Sequence, residues 1–282
     1  MGEKRTRGKD AIMDIYKCLE IKIAEGHSLC IKLAEPYEGL LLEMFPQGSI
    51  TYRVPNISYE KGKTGVKFFA DDESIQFVEQ DNFFDIMFII EEYVQKKYNS
   101  IVLHGGAIVK NDKAIVIIQS RKRGKTTLLR GLLADNKCFY VSDDVLLLNK
   151  DKIAGIAAPM RVREKLEDII KCNGKYIGSM MDESGEQRNI FVPNNLISER
   201  FMKISCIILP SYSNNGENYF IELSGIQKFI KVLENVKEYK NIQHVYREIS
   251  YLCNFISVYE IHYSDIGFAI EKINALSNMG FI

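Results

Sequence analysis

Ala114-Ile-Val-Ile-Ile118, followed by Gln119-Ser120-Arg121-Lys122-Arg123-Gly124-Lys125-Thr126-Thr127-Leu128, constrains this chain more than any other stretch. The apolar run reads as a buried strand, and the residues after Gly124 read as an amphipathic helix. A strand, a tight loop ending Gly-Lys-Thr and a helix form the order that a phosphate-binding loop needs. Backbone N–H groups at the helix start and the positive end of its dipole favour an anion there. A Lys at this position reaches the outer phosphates, and a Thr hydroxyl can ligate Mg²⁺. The pattern G-x-x-x-x-G-K-[ST] is met at Gly124, Lys125 and Thr126, but Gln119 stands at its first position. Gly-Lys-Thr alone also fits an ordinary helix start with a solvated Lys; the flanking strand and helix favour the phosphate loop. Ser120, Arg121, Lys122, Arg123, Gly124, Lys125, Thr126 and Thr127 are therefore the candidate nucleotide-binding residues.

A second acidic element follows. Cys138-Phe-Tyr-Val-Ser142 is a short apolar strand that runs into Asp143-Asp144 and then Val145-Leu-Leu-Leu148. Carboxylates at a strand end in a nucleotide-binding sheet can hold Mg²⁺ or accept a proton from an attacking hydroxyl. A solvated Asp-Asp turn is the plain alternative, and strongly apolar flanks close behind a phosphate loop speak against it. Upstream, Ile101-Val-Leu-His104-Gly105-Gly106-Ala-Ile-Val109, the turn Asn111-Asp112 and the run Ala114 to Ile118 read as joined strands. His104 thus sits on the same sheet as the loop, and the paired glycines beside it allow close approach of a backbone or a ligand.

Leu103-His104-Gly105-Gly106-Ala107, the strand into Gly124-Lys125-Thr126-Thr127-Leu128, and Val141-Ser142-Asp143-Asp144-Val145 occur in the order and spacing of the HPr kinase/phosphorylase catalytic domain. The chain resembles that P-loop kinase family and its smaller relatives, best over roughly residues 99 to 150. A weaker echo runs through Ala158-Pro159-Met-Arg161-Val-Arg163-Glu164 and the strand Ile204 to Leu209. The resemblance implies an α/β fold: an HPr kinase-like P-loop nucleotide-binding domain with a mixed sheet, over residues 99–282. It implies ATP, or another nucleoside triphosphate, and Mg²⁺ as cofactors, with γ-phosphate transfer to a hydroxyl, foremost Ser of a peptide or protein. Relatives of this size include kinases of ribosomally made peptides such as lasso-peptide precursors.

By position, Lys125 contacts the β- and γ-phosphates, Thr126 helps hold Mg²⁺, and His104 with Asp143 and Asp144 serves acid/base and metal roles. Asp143 is taken as the base and Asp144 as the metal partner, an assignment the sequence leaves reversible. Arg161 or Arg163 is placed to reach the transferring phosphate, with a surface salt bridge as the plain alternative for each. The family's loops carry further glycines where this chain has Gln119 and Lys122. That departure keeps two other readings open: a non-catalytic nucleotide- or peptide-binding module, and a nucleoside triphosphate hydrolase.

Composition bounds the remainder. At 282 residues the chain can bury a substantial core as one large or two modest domains. Lys and Arg together number 37, as do Asp and Glu, so no broad electrostatic footprint for nucleic acid is expected. The six cysteines, at 18, 30, 138, 172, 206 and 253, have no metal-ligand spacing and fit buried thiols in a reducing cytoplasm. No apolar segment reaches membrane-spanning length, and the basic start is followed by no signal-like core, so no membrane partner is expected. Gly2 and Thr6 fit a myristoylation pattern, but the charged run Glu3 to Arg7 reads as a solvated tail. A homo-oligomer is compatible with the chain and specified by nothing in it.

Short apolar runs at Ser28 to Leu33, Gly39 to Phe45, Ser49 to Val54, Val66 to Phe69 and Ser74 to Val78 predict a β-rich domain over residues 1–98. It closes with a connecting helix over Asn82 to Tyr98. Beyond the acidic pair, Glu164 to Lys171 reads as a helix and Cys172 to Gln187 as a polar loop, either a lid or a surface excursion. Strands follow at Phe201 to Pro210, Tyr219 to Leu223 and Ser257 to His262. Helices follow from Ser224 towards Asn235, over 239 to 256, and over Asp265 to Leu276. His244 and His262 lack a partnering motif and are assigned structural roles.

Overall fold

The computed structural model describes residues 15–24, 27–63, 65–70, 78–80, 83–98, 101–120, 123–135, 137–163, 173–182, 184–197, 200–237 and 241–278. Arg121 and Lys122, the Glu164 to Lys171 helix expectation and the residue 2–7 tail lie outside them.

The first part of the chain builds a six-stranded sheet. Strands β1 (Tyr16–Ala24), β2 (His27–Lys32), β3 (Ser49–Arg53), β4 (Ile57–Lys61), β5 (Val66–Ala70) and β6 (Val78–Gln80) pair in the order β3-β1-β2-β4-β5-β6. On β1 the alternation is plain: Leu19, Ile21 and Ile23 are fully buried, while Glu20 and Lys22 on the other face are not. Helix α1 (Glu38–Met44) occupies the run Gly39 to Phe45, which the spacing predicts as a strand. Its Leu and Met residues are good helix formers with no β-branched residue among them, and burial of Leu41 and Met44 follows the helical i, i+3 spacing. A 3-10 turn at Phe83–Asp85 leads into α2 (Ile86–Lys97), which ends in Lys96 and Lys97 as a helix C-terminus favours.

The second part is a mixed sheet with helices on both faces. Strands β7 (Ile101–Lys110) and β8 (Lys113–Ile118) form a hairpin whose turn residues Asn111 and Asp112 both take positive φ, the combination that matches strand twist. Helix α3 (Lys125–Leu133) follows the loop after β8. Next come β9 (Phe139–Ser142), β10 (Val145–Asn149), β11 (Lys152–Gly155), β12 (Met160–Val162), β13 (Gly174–Met181), β14 (Gln187–Pro193), β15 (Met202–Tyr212) and β16 (Tyr219–Glu222). The chain then forms helices α4 (Gly225–Leu233) and α5 (Ile242–Phe255), strand β17 (Ser257–Tyr263) and helix α6 (Ile266–Asn278). The sheet order is β11-β10-β7-β8-β15-β17-β16, with β9 on β7 and a further β11–β15 pairing. The β8–β15 and β15–β17 pairs are parallel and the rest antiparallel. Buried residues of α3 and α6 pack on one face, around Ile115, Ile117 and Ile208; those of α4 and α5 pack on the other, around Val116, Ile118 and Ile207. Covering both faces is why β8 reads as an unbroken apolar run.

Within the Cys172 to Gln187 stretch that reads as a loop, Gly174–Met181 is β13, while Cys172 lies outside the described residues. This strand pairs with β14, the Gly185 N–H donating to the Asp182 carbonyl between them, and with β12 the two form a three-stranded sheet. Its small and polar residues hide the strand, since β13 has little alternation of buried and exposed positions. Gly178 has φ +151° and passes so close to the Phe84 ring that a Cβ would lie 2.7 Å from it. Among the described residues no helix is long and apolar enough to cross a membrane.

Gly106 sets the spacing between strand, helix and acidic turn. A Cβ there would lie 2.3 Å from Leu129 Cδ1, 2.9 Å from the Ser142 carbonyl oxygen and 3.1 Å from Asp143 Cα. Two of these are backbone atoms and cannot swing aside. Gly106→Ala is therefore expected to lower the unfolding free energy by about 1–3 kcal/mol, the usual cost of forcing a methyl group into a packed core. Chemical denaturation measures it, and an unchanged midpoint would contradict this packing.

Candidate functional site

The turn before α3 is held from the sheet. Gly124 has φ 90° in the left-handed region, and its carbonyl accepts a hydrogen bond from the Tyr263 hydroxyl of β17 at 3.2 Å. A Cβ on Gly124 would lie 2.5 Å from that hydroxyl oxygen, so both the turn and the packing require glycine. The Arg123 carbonyl accepts from the Tyr212 backbone N–H at 3.3 Å. Helix α3 then begins at Lys125, with its first-turn N–H groups lacking intrahelical acceptors.

The acidic pair faces that helix start because β9 and β10 both pair with β7. Thr126 Oγ1 donates to Asp143 Oδ2 at 2.8 Å. Asp143 is 4 % exposed, and its other oxygen, Oδ1, is buried with no hydrogen-bond partner. Burial pushes the Asp143 carboxyl up to about 7, with Lys125 opposing the rise and Asp144 adding to it. Asp144 is placed differently, its side chain a quarter exposed. Lys125 Nζ donates to its Oδ1 at 3.4 Å, His104 Nδ1 lies 3.9 Å from the same oxygen, and Arg161 Nη2 donates to Oδ2. Burial opposes ionisation of Asp144, yet Arg161 and then Lys125 hold it well below the ordinary carboxylate range.

These groups line one cavity of about 790 Å³. Of the sequence-derived candidates, His104, Ser120, Gly124, Lys125, Thr126, Thr127, Asp143, Asp144 and Arg163 all border it. Arg123 is exposed and is not among the lining residues. Arg163 is half-exposed and lies 3.4 Å from Glu186, whereas Arg161 is mostly buried and joins the acidic pair directly. Sequence reasoning misses several lining groups, among them Glu91 on α2, Lys237 after α4, and Arg188 on β14. Arg188 is held by Asp182 and, at 2.8 Å, by Glu186. The Ser184 hydroxyl donates to Asp182 at 2.7 Å and, with other donors around it, keeps that carboxylate well below its usual range. The β13–β14 turn is therefore a braced wall of the cavity that the start of α3 also borders.

The donor set suits Mg²⁺. A hydroxyl and an adjacent carboxylate with an unpaired buried oxygen supply hard oxygen ligands, which magnesium combines with substrate phosphates. Among the described residues no group of three or more His, Cys, Asp or Glu could hold a metal by protein ligands alone.

No family model and no curated protein matches the chain. Among solved structures, the Hpr(Ser) kinase/phosphatase from Coxiella burnetii is similar at 11% identity and a TM-score of 0.29, over 63% of this chain and 98% of that one. A likeness at that level carries no chemistry across; the side chains must supply it.

Proposed function

We propose that this chain is an ATP-dependent phosphotransferase that moves the γ-phosphate to a hydroxyl, with residues 99–282 as the P-loop catalytic domain and residues 1–98 preceding it. The observation that carries the reading is the contact of Thr126 with Asp143 beside Lys125, Asp144 and Arg161, at the start of a helix that borders a large cavity. The first-turn N–H groups of α3 receive the phosphates. Lys125, buried and paired with Asp144 at 3.4 Å, exchanges that partner for a phosphate oxygen. Thr126 and Asp143 are the residues that would hold Mg²⁺, and its charge would neutralise the phosphates. Asp144, kept ionised by Arg161 and open to the cavity, orients the acceptor hydroxyl. This exchanges the roles that the sequence assigns to the two carboxylates, because Asp143 accepts from Thr126, the hydroxyl that would ligate the metal, whereas Asp144 is the carboxylate more open to the cavity.

In phosphoryl transfer of this kind, alignment and charge stabilisation supply most of the catalysis, so a carboxylate held at low pKa serves the orienting role well. The acceptor as Ser of a peptide or protein follows the sequence resemblance. Incubating the protein with γ-labelled ATP, Mg²⁺ and Ser-containing peptides, read by mass spectrometry, tests it. Labelled peptide is the expected result. Free phosphate with no labelled acceptor would identify a hydrolase, and intact ATP throughout would identify a binding module.

A further inference from the structure

Helix α2 has two chemically different faces. Ile86, Met87, Ile89, Ile90, Tyr93 and Val94 are buried in the cluster that joins the helix to the six-stranded sheet. Phe88 and Glu91, three residues apart and so neighbours on one side of the helix, line the cavity, with Phe88 also packed against that cluster. Glu91 Oε1 accepts from Arg161 Nη2 at 3.0 Å, and its Oε2 lies 3.8 Å from Lys237 Nζ. The Phe88 ring sits 4.3 Å from the Arg161 guanidinium carbon.

Both cations come from other elements. Arg161 belongs to β12. Lys237 follows α4 in a segment annealed to β7: His104 N–H donates to the Asn235 carbonyl at 2.8 Å, and Lys237 N–H donates to the Val102 carbonyl at 2.8 Å. A single nitrogen, Arg161 Nη2, thus bridges Glu91 and Asp144. A mostly buried carboxylate is a costly way to build a packing helix, since an apolar residue would stabilise the same contact at least as well. Its placement makes sense through what it holds. Asp144 is gripped by both Lys125 and Arg161, and once a phosphate takes Lys125, Arg161 is the cation left to fix it.

We infer that Glu91 is a positioning residue of the phosphotransfer reaction: resting on the reading above, it anchors Arg161 and Lys237 so that Asp144 stays aimed at the acceptor after Lys125 moves to the phosphates. Through α2, the amino-terminal sheet becomes a working support of the site.

Glu91→Gln in the full chain tests this, with MgATP and the Ser-containing peptides as probes, so that the γ-phosphate has a hydroxyl to receive it. Peptide labelling, MgATP affinity by isothermal titration and thermal unfolding are the readouts. Turnover is expected to fall about 10²-fold, the scale of a small misplacement of reacting groups. MgATP is expected to bind at least as tightly as in the wild type, because a negative charge has left a cavity that receives a polyphosphate. Glu91→Asp, which keeps the charge on a shorter side chain, is expected to recover part of the turnover. Glu92→Gln, on the exposed side of the same helix where Glu92 pairs with Lys96, is expected to match the wild type. Wild-type turnover in Glu91→Gln, or a proportional loss of affinity and turnover that Glu91→Asp does not relieve, overturns the inference. If Glu91→Gln does not fold, Glu91→Asp decides: reduced turnover at unchanged affinity supports it, and full turnover overturns it. A wild-type protein that labels no peptide overturns the phosphotransferase reading and this inference together, whereas an active wild type with an indistinguishable Glu91→Gln overturns this inference alone.

Discussion

Asp143→Asn is expected to yield a protein that is more stable than the wild type at pH 8 and almost inactive. Asp143 is 4 % exposed and burial pushes its carboxyl up to about 7, against about 3.9 for an unfolded chain. The folded state therefore binds a proton that the unfolded state has already released between about pH 4 and pH 7. Stability falls as pH rises through that window and stays low above it. Asn carries no charge, and its carbonyl can still accept from Thr126 Oγ1, so the variant escapes the penalty. The amide group meets the same partnerless environment as Oδ1 does now, which returns part of the gain. A net stabilisation of about 1–3 kcal/mol at pH 8 remains, shrinking towards zero or below at pH 4. Activity moves the other way, because the carboxylate that the proposed function assigns to magnesium beside Thr126 is lost; a fall of about 10²-fold or more is expected. Denaturation of metal-free protein at both pH values, beside phosphate transfer from MgATP to the Ser-containing peptides, measures the pair of effects. A variant that is destabilised at pH 8, or fully active, would contradict the role given to this residue.

Lys125→Ala is expected to remove productive nucleotide binding while leaving the fold intact. Without nucleotide, Lys125 Nζ pairs with Asp144, but Arg161 and His104 also face that carboxylate, so its loss does not strand a buried charge. With nucleotide, a charge-assisted contact of about 1.5–3 kcal/mol disappears, or roughly 10- to 10²-fold in affinity. A second effect adds to it. Lys125 is the largest influence lowering the Asp143 pKa, and removing it drives that carboxyl further towards its protonated form. Magnesium dependence should therefore steepen in the same variant, with half-maximal activity shifted to higher Mg²⁺. Isothermal titration with ATP at several Mg²⁺ concentrations reads both terms, and unchanged affinity in a folded variant would remove the phosphate-loop account.

The parts of the site legible in the sequence are those made by neighbours along the chain. Gly124, Lys125 and Thr126 declare themselves because a strand, a loop and a helix are consecutive, and Asp143-Asp144 because apolar strands flank the pair on both sides. Glu91, Arg188 and Lys237 are illegible for a shared reason: each arrives through long-range packing. Glu91 sits within the apolar pattern of α2, where Phe88 reads as one more core residue and Glu91 as an ordinary interruption until the helix is seen to bury its opposite side in the six-stranded sheet. Lys237 needs the annealing of residues 235–237 onto β7, and Arg188 needs the β13–β14 hairpin, whose small and polar residues read as a loop. The different settings of Asp143, enclosed against Thr126, and Asp144, more open to the cavity, are equally hidden, since adjacent identical residues differ only in which way the turn points them.

A structure of the protein with Mg²⁺ and a non-hydrolysable ATP analogue tests the central claim most directly. The account predicts the β- and γ-phosphates against the backbone N–H groups of residues 124 to 127, Lys125 released from Asp144 onto a phosphate oxygen, and Mg²⁺ ligated by Thr126 and Asp143. A nucleotide bound elsewhere, or one that leaves Lys125 on Asp144, would contradict it.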